Sequence, residues 1–327
     1  MTYPQERLRR LRENPKLRRM VSETTLLLKE LVQPLFIKEG LARPAEISSM
    51  PGQFQHSEKS LLEEARQIEG LGVPAVILFG IPAKKESAGR QAFAKKGIVQ
   101  RTVAALKKKC PKLLVIADVC LCEYMSHGHC GHVHNGKILN DPTVKTLARV
   151  ALSYAEAGAD VIAPSDMMDG RIGAIRKALD QDGFKDTPLI SYAVKYASSF
   201  YAPFREAAES APGFGDRTTY QMDPANANEA LREARADLEE GADILLVKPA
   251  LGCGDIIFRI KDRFACPVGC FSVSGEYAMI KAAAAKNWID EKKAVRETHL
   301  AMKRAGADLI VTYWAKDLAK WKAAVKD

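Results

Sequence analysis

The sequence predicts a (β/α)8 barrel of the TIM type preceded by an extended basic N-terminal arm. Three observations carry that expectation. Eight short apolar runs, bounded by turn-forming residues, alternate with segments of helical periodicity, and such runs are what strands buried on both faces look like. A frame of Gly-Ala-Asp followed by aliphatic residues occurs three times, in EAGADVIAP (156–164), EEGADILLV (239–247) and RAGADLIVT (304–312). It reads as a helix stopped by glycine, a short turn and a parallel strand. A doubly wound sheet would want a G-x-G-x-x-G loop after its first strand, and KEGLARPAE stands there instead.

In chain order, residues 1–30 form the arm and 31–327 the barrel. Residues 5–19 hold Arg7, Arg9, Arg10, Arg12, Lys16, Arg18 and Arg19 against only Glu6 and Glu13, within a chain of net charge +9. Such an arm can meet nucleic acid, an anionic membrane or a neighbouring subunit, but it lacks the stacking aromatics of single-strand binders. The expected strands are 31–37, 73–79, 113–118, 160–163, 188–191, 243–247, 267–273 and 308–312. With 47% apolar and 27% charged residues the chain is of globular type, which excludes disordered and collagen-like classes. No apolar stretch reaches the roughly 18 residues of a spanning helix, and the N-terminus has no apolar segment of a secretory signal. Seven cysteines, an odd number, fit reduced thiols or metal ligands in a cytoplasmic protein.

In such a barrel the chemistry sits at the C-terminal ends of the strands. Those ends carry Asp118 with Cys120 and Cys122, Ser165 and Asp166, Lys195 just past the fifth run, Lys248, Ser274 and Tyr313. Lys248 closes the apolar strand DILLVKPA; burial there would lower its pKa and free a nucleophilic amine, unless the side chain snorkels to solvent. If Lys195 shares its pocket, each amine disfavours the other's charge, and two such lysines favour Schiff-base chemistry on a ketone or aldehyde. Cys120, Cys122 and Cys130 form C-x-C-x7-C among His127, His129, His132 and His134. Three thiolates suit zinc with an open fourth position, whereas a histidine as fourth ligand would close the site. The spacing leaves both open. Cys110, Cys253, Cys266 and Cys270 stand singly and read as packing residues.

Residues 198–226 are aromatic, punctuated by Gly and Pro, and carry Arg205, Arg217 and Gln221. They read as a lid whose arginines either clamp a carboxylate or lie solvated. In the helix NEALREARADLEEG, Glu229, Glu233 and Asp237 fall on one face. That pattern reads as a solvated acidic face laced with Arg232 and Arg235, or as a site for a hard cation.

Together the segments RLRRLRENPKLRRM (7–20), LFGIP (78–82), DVCLCEYMSHGHCG (118–131), SDMMDGRIGAIR (165–176), SYAVKYASSFY (191–201), LLVKPA (245–250), VSGEYAM (273–279) and TYWAK (312–316) resemble the porphobilinogen synthase, or delta-aminolevulinic acid dehydratase, family nearly end to end. The resemblance implies asymmetric condensation of two 5-aminolevulinate molecules to porphobilinogen with loss of two waters, an early step of tetrapyrrole synthesis. Lys248 would form a Schiff base with one substrate and Lys195 with the other. Ser274 and Tyr313 would hold the first carboxylate, and Arg205, Arg217 and Gln221 the second. Cys120, Cys122 and Cys130 match the branch with a catalytic zinc, and Glu233 matches a ligand of an allosteric magnesium. The family pattern further implies a homo-octamer in which each arm wraps a neighbour, with neither nucleic acid nor membrane as partner. Other Schiff-base barrels of the class I aldolase type are the alternative; they need one lysine and no thiolate trio.

Overall fold

The structure, a computed structural model, describes residues 2–324; residues 325–327 of the expected barrel lie outside the described range. Its barrel strands are β1 (Leu31–Lys38), β2 (Ala75–Ile81), β3 (Leu114–Val119), β4 (Val161–Pro164), β5 (Ile190–Lys195), β6 (Ile244–Lys248), β7 (Val268–Ser272) and β8 (Leu309–Thr312). All are parallel, in the spatial order β4-β3-β2-β1-β8-β7-β6-β5. Closure comes from a parallel bridge between Ile162 and Leu189, where Ile162 N–H donates to Pro188 O at 3.1 Å. Each strand begins within two residues of its expected run. The fifth ends later: Lys195 is the last residue of β5 rather than just past it. All six residues of ISYAVK are buried, so polar character at Ser191 and Lys195 hid a strand that is inside on both faces.

The repeated Gly-Ala-Asp frame has a definite mechanical role. Gly158, Gly241 and Gly306 have φ of +96°, +103° and +112°, a region that side chains with a Cβ adopt only under strain. The aspartate that follows turns back onto the neighbouring strand. Asp160 accepts the N–H of Val115 at 2.8 Å, Asp243 that of Leu189 at 2.7 Å, and Asp308 that of Val268 at 2.7 Å. Each carboxylate thus ties adjacent strand starts together at the barrel floor, away from the rim where the chemistry lies.

The barrel wall comprises helices α1 (Glu58–Gly70), α2 (Ile98–Lys109), α3 (Asn140–Glu156), α4 (Arg171–Gln181), α5 (Asn228–Glu239), α6 (Gly254–Arg263), α7 (Ser274–Ala285), α8 (Glu291–Arg304) and α9 (Ala315–Ala324). Near the rim the barrel is filled by rings. Phe36 lies 5.6 Å from Phe79 and 6.2 Å from Tyr313, and Phe271 lies 5.9 Å from Tyr313 and 6.4 Å from Tyr192, centroid to centroid. The arm has a single helical turn at Leu8–Leu11 and a short helix at Pro15–Met20, neither with a buried residue. Leu8 and Met20 are 66% and 82% exposed. No helix among the described residues is long and apolar enough to cross a membrane.

Candidate active site

β5 and β6 are neighbours, and Lys195 and Lys248 are partners in their register, so the barrel's own hydrogen bonding brings the two amines to one place. Both side chains are 5% exposed. Lys248 Nζ sits among rings, 4.2 Å from the centroid of Phe271, 5.0 Å from Phe204, 5.2 Å from Tyr201 and 5.3 Å from Tyr192. Ring faces attract a cation only weakly compared with water. Burial, reinforced by the charge of Lys195, therefore lowers the Lys248 pKa from 10.5 to about 7. Snorkelling does not occur. Lys195 Nζ donates to the carbonyl of Ser165, whose hydroxyl donates to Asp118 Oδ2 at 3.0 Å.

Beyond β3 the chain turns so that Cys120, Cys122 and Cys130 converge, with their sulfurs all within 4.8 Å of one another and buried. Hydrogen bonds from Cys120 and Cys122 hold the Cys130 thiol well below its usual pKa, while burial raises Cys120. No histidine joins the cluster among the described residues. His129 is held by the Tyr220 hydroxyl at 3.0 Å and the Phe214 carbonyl at 2.9 Å, His132 by Thr146 Oγ1 at 2.8 Å, and His134 is exposed. Three buried sulfurs without a fourth protein ligand fit a soft, tetrahedral cation with one open position.

The segment 198–226 covers the rim. Its short helix Ala202–Ala207 places Phe204 above Lys248. Ser274 fixes that helix: its Oγ accepts the Phe204 N–H at 2.9 Å and donates to the Phe200 carbonyl at 3.2 Å. Arg217 is 4% exposed and donates to the carbonyls of Gly128 at 2.9 Å and Ser210 at 2.6 Å. Cys122, Lys195, Lys248, Arg205 and Arg217 bound one cavity of about 10 Å³, room for about one water. Gln221 and Glu233 line a larger neighbouring cavity of about 850 Å³. Ser274 and Tyr313 line neither. Buried polar atoms without a partner gather here: Asp118 Oδ1, Glu123 Oε1, Arg205 Nε, Arg217 Nε, both amide atoms of Gln221, and the hydroxyls of Tyr192, Tyr201 and Tyr313. Each costs about 1–3 kcal/mol, and a ligand rich in carboxylate, carbonyl and amine groups would relieve that cost once the lid lifts.

The family model for delta-aminolevulinic acid dehydratase matches residues 5–321. The chain belongs to that family. A delta-aminolevulinic acid dehydratase of Halalkalibacterium halodurans is 57% identical over 97% of this chain and 96% of its own length, and one of Bacillus subtilis is 52% identical over 99% and 100%. Among solved structures, the Toxoplasma gondii enzyme in complex with its reaction product porphobilinogen superposes with a TM-score of 0.95 at 45% identity, covering 97% of this chain and 91% of that one. The protein is accordingly a porphobilinogen synthase of tetrapyrrole synthesis, condensing two 5-aminolevulinate molecules with loss of two waters.

One expectation about this dehydratase changes in the structure. Asp237 does not sit on a solvated acidic face: it is 3% exposed and grips the buried Arg171 through two hydrogen bonds, at 3.1 and 2.9 Å. Arg171 also donates to Ser191 Oγ at 3.0 Å, which joins α4 and α5 to β5. Removing one partner of such a pair strands a buried charge. Asp237→Ala should lower stability by about 3–5 kcal/mol, read as a shift of the urea midpoint at constant slope; an unchanged midpoint would refute the pairing. Glu233, one turn earlier, is half-buried, and burial together with Asp237 raises its pKa.

The residues overlooked in the sequence are Tyr192, Tyr201, Phe204 and Phe271, which box Lys248, and Glu123, which walls the small cavity. The aromatics of SYAVKYASSFYAPF were visible, but their common target was not. Glu276 is another: 2% exposed, it accepts the N–H groups of Leu251 at 2.8 Å and Val273 at 3.1 Å, pinning the turn that follows Lys248.

Proposed function

We propose that Lys248 and Lys195 carry the condensation by each forming a Schiff base with one substrate. The observation that supports this most directly is the pairing of two buried amines across adjacent strands, one with a pKa near the operating pH. The Lys248 amine, half of it neutral at about pH 7, adds to a substrate ketone; the carbonyl oxygen leaves as water and the carbon becomes electrophilic. Lys195 does the same to the second substrate. With both substrates fixed side by side, bond formation between them becomes effectively intramolecular.

Arg205, Arg217 and Gln221 receive the carboxylate of the substrate at Lys195; their partnerless Nε and amide atoms support this role. Tyr313 and Ser274 receive the other carboxylate, with Ser274 releasing the lid backbone to do so. Carboxylate binding at Ser274 would in this way be coupled to movement of the lid. Cys120, Cys122 and Cys130 hold a catalytic zinc, which would supply Lewis acidity at its open position. Glu233 serves an allosteric magnesium, for which one carboxylate and several waters suffice. The arm's exposed Leu8, Leu11 and Met20 support burial against a neighbouring subunit in a homo-octamer. The enzyme works in the cytoplasm, free of nucleic acid and membrane.

Reduction with borohydride in the presence of 5-aminolevulinate, followed by peptide mass spectrometry, tests the lysines. Adducts are expected on Lys248 and on Lys195. An adduct on one lysine alone, at saturating substrate, would leave the second without its covalent role.

A further inference from the structure

We infer that Glu209 is the fixed end of the lid, a positioning residue that keeps Arg205 and Arg217 at the cavity while the rest of the lid moves. The inference deepens the carboxylate-binding reading of those two arginines and rests on it. Donors from three places on the rim converge on the end of the lid helix Ala202–Ala207. Lys38, the last residue of β1, pairs with Glu209 Oε1. Lys85, beyond the end of β2, donates to the Glu209 carbonyl. Gln55 donates to the same Oε1 at 3.2 Å and to the Ala207 carbonyl at 2.8 Å, and Ser48 donates to Glu206 Oε1 at 2.6 Å. Gln55 and Ser48 belong to a hairpin in which Ala45–Glu46 pairs with Phe54–His56. The hairpin is itself tied down. Gln55 is in register with Phe36 of β1, Gln53 donates to the Tyr313 carbonyl at 3.3 Å, and the Tyr277 hydroxyl donates to the Pro51 carbonyl at 2.6 Å.

The backbone at Glu209 is bent to suit this position. Its φ is +50°, a left-handed conformation that glycine adopts freely and that a side chain with a Cβ keeps only where its surroundings over-determine it. The bend closes the helix, with Glu209 N–H donating to the Glu206 carbonyl at 3.1 Å and Ser210 N–H to the Arg205 carbonyl at 2.9 Å. It also delivers the Ser210 carbonyl to Arg217 Nη2. Arg205 therefore lies one turn before the anchor, and the partner of Arg217 lies one residue after it. The other end of the helix is held through Ser274, at Phe200 and Phe204, and a substrate carboxylate would take over that hold. A lid released there and retained at Glu209 swings about its anchored end instead of lifting away, and Arg217 keeps its place.

Lys38 and Glu209 line neither cavity, so replacing them leaves the groups that meet substrate in place. The test is the steady-state kinetics of Lys38→Met, Glu209→Gly and the double variant with 5-aminolevulinate at low salt. KM is expected to rise about threefold in Lys38→Met and about fivefold in Glu209→Gly, the scale of a partly exposed ion pair. The double variant should match Glu209→Gly, because both changes break one contact, and kcat should stay within about twofold of the parent throughout. Glycine suits the bend, so a residue needed only for the turn would leave Glu209→Gly at the parent KM. That result, effects that multiply in the double variant, or a kcat that falls further than about twofold would each overturn the assignment. Should Glu209→Gly not accumulate as folded protein, Lys38→Met supplies a second reading. Its excess in KM over the parent should vanish at about 1 M salt, where charges are screened within about 3 Å, and an excess that persists overturns the ion-pair anchor. Arg205→Lys reports on the carboxylate reading separately: an unchanged KM there removes the arginine from substrate binding, whatever the anchor variants do.

Discussion

Lys248→Met is expected to abolish porphobilinogen formation, by roughly 10⁴-fold or more, while making the protein more stable. The two effects share one cause. Methionine cannot form a Schiff base, yet it suits a pocket walled by Phe271, Phe204, Tyr201 and Tyr192 better than an amine does. The Lys248 pKa falls from 10.5 to about 7 on folding, so the unfolded chain binds the extra proton and the native state is penalised. The penalty is complete below about pH 7, declines as pH rises, and vanishes above the unfolded value near 10.5. Its upper bound is about 5 kcal/mol. The gain in melting temperature of Lys248→Met over the parent should therefore be largest at pH 6–7 and shrink toward pH 10. In the parent enzyme, kcat/KM should rise with pH through a single ionisation near 7 as the amine loses its proton. A variant that melts lower than the parent at pH 6.5 would contradict the idea that catalysis is built on a destabilising lysine.

Stripping metal from the thiol trio should be nearly as severe. Incubation with a strong chelator is expected to reduce porphobilinogen formation by about 10³-fold or more, and added zinc, but not magnesium, should restore it. The specificity follows from three buried sulfurs, donors that a soft cation prefers and magnesium does not. Binding must displace the remaining thiol protons, so zinc affinity should climb with pH. Bound metal also favours the native state by mass action, and the chelated protein should melt at lower temperature. Cys122→Ala should behave like chelated enzyme that zinc no longer rescues. Activity indifferent to the chelator would keep the reaction and remove the cysteines from it.

The parts of the molecule legible in one dimension are those whose information is local. Strand positions follow from apolar runs because burial on both faces demands an uninterrupted apolar stretch. The Gly-Ala-Asp frames announce strand starts because glycine alone adopts φ near +100° without strain and aspartate reaches the adjacent strand. Placing Lys195 and Lys248 at one rim followed from the same logic, as did grouping Cys120, Cys122 and Cys130 by spacing. Each of these depends on neighbours within about a dozen residues.

What only the tertiary structure decided involves partners brought together by barrel closure. Lys195 and Lys248 are 53 positions apart in the chain, and their contact exists because β5 and β6 pair in that register. Asp237 meets Arg171 across 66 positions, so a helix face that looks solvated by periodicity is buried by a residue no periodicity contains. His129 and His132, near the cysteines, are drawn off by Tyr220, Phe214 and Thr146, contacts that spacing cannot weigh. Sequence determined the barrel, its rim and the kinds of group upon it, because hydrophobic pattern and turn chemistry are local. The lowered pKa of Lys248 and the surroundings of the converged sulfurs were decided by folding alone, because desolvation and charge act through space among residues far apart along the chain.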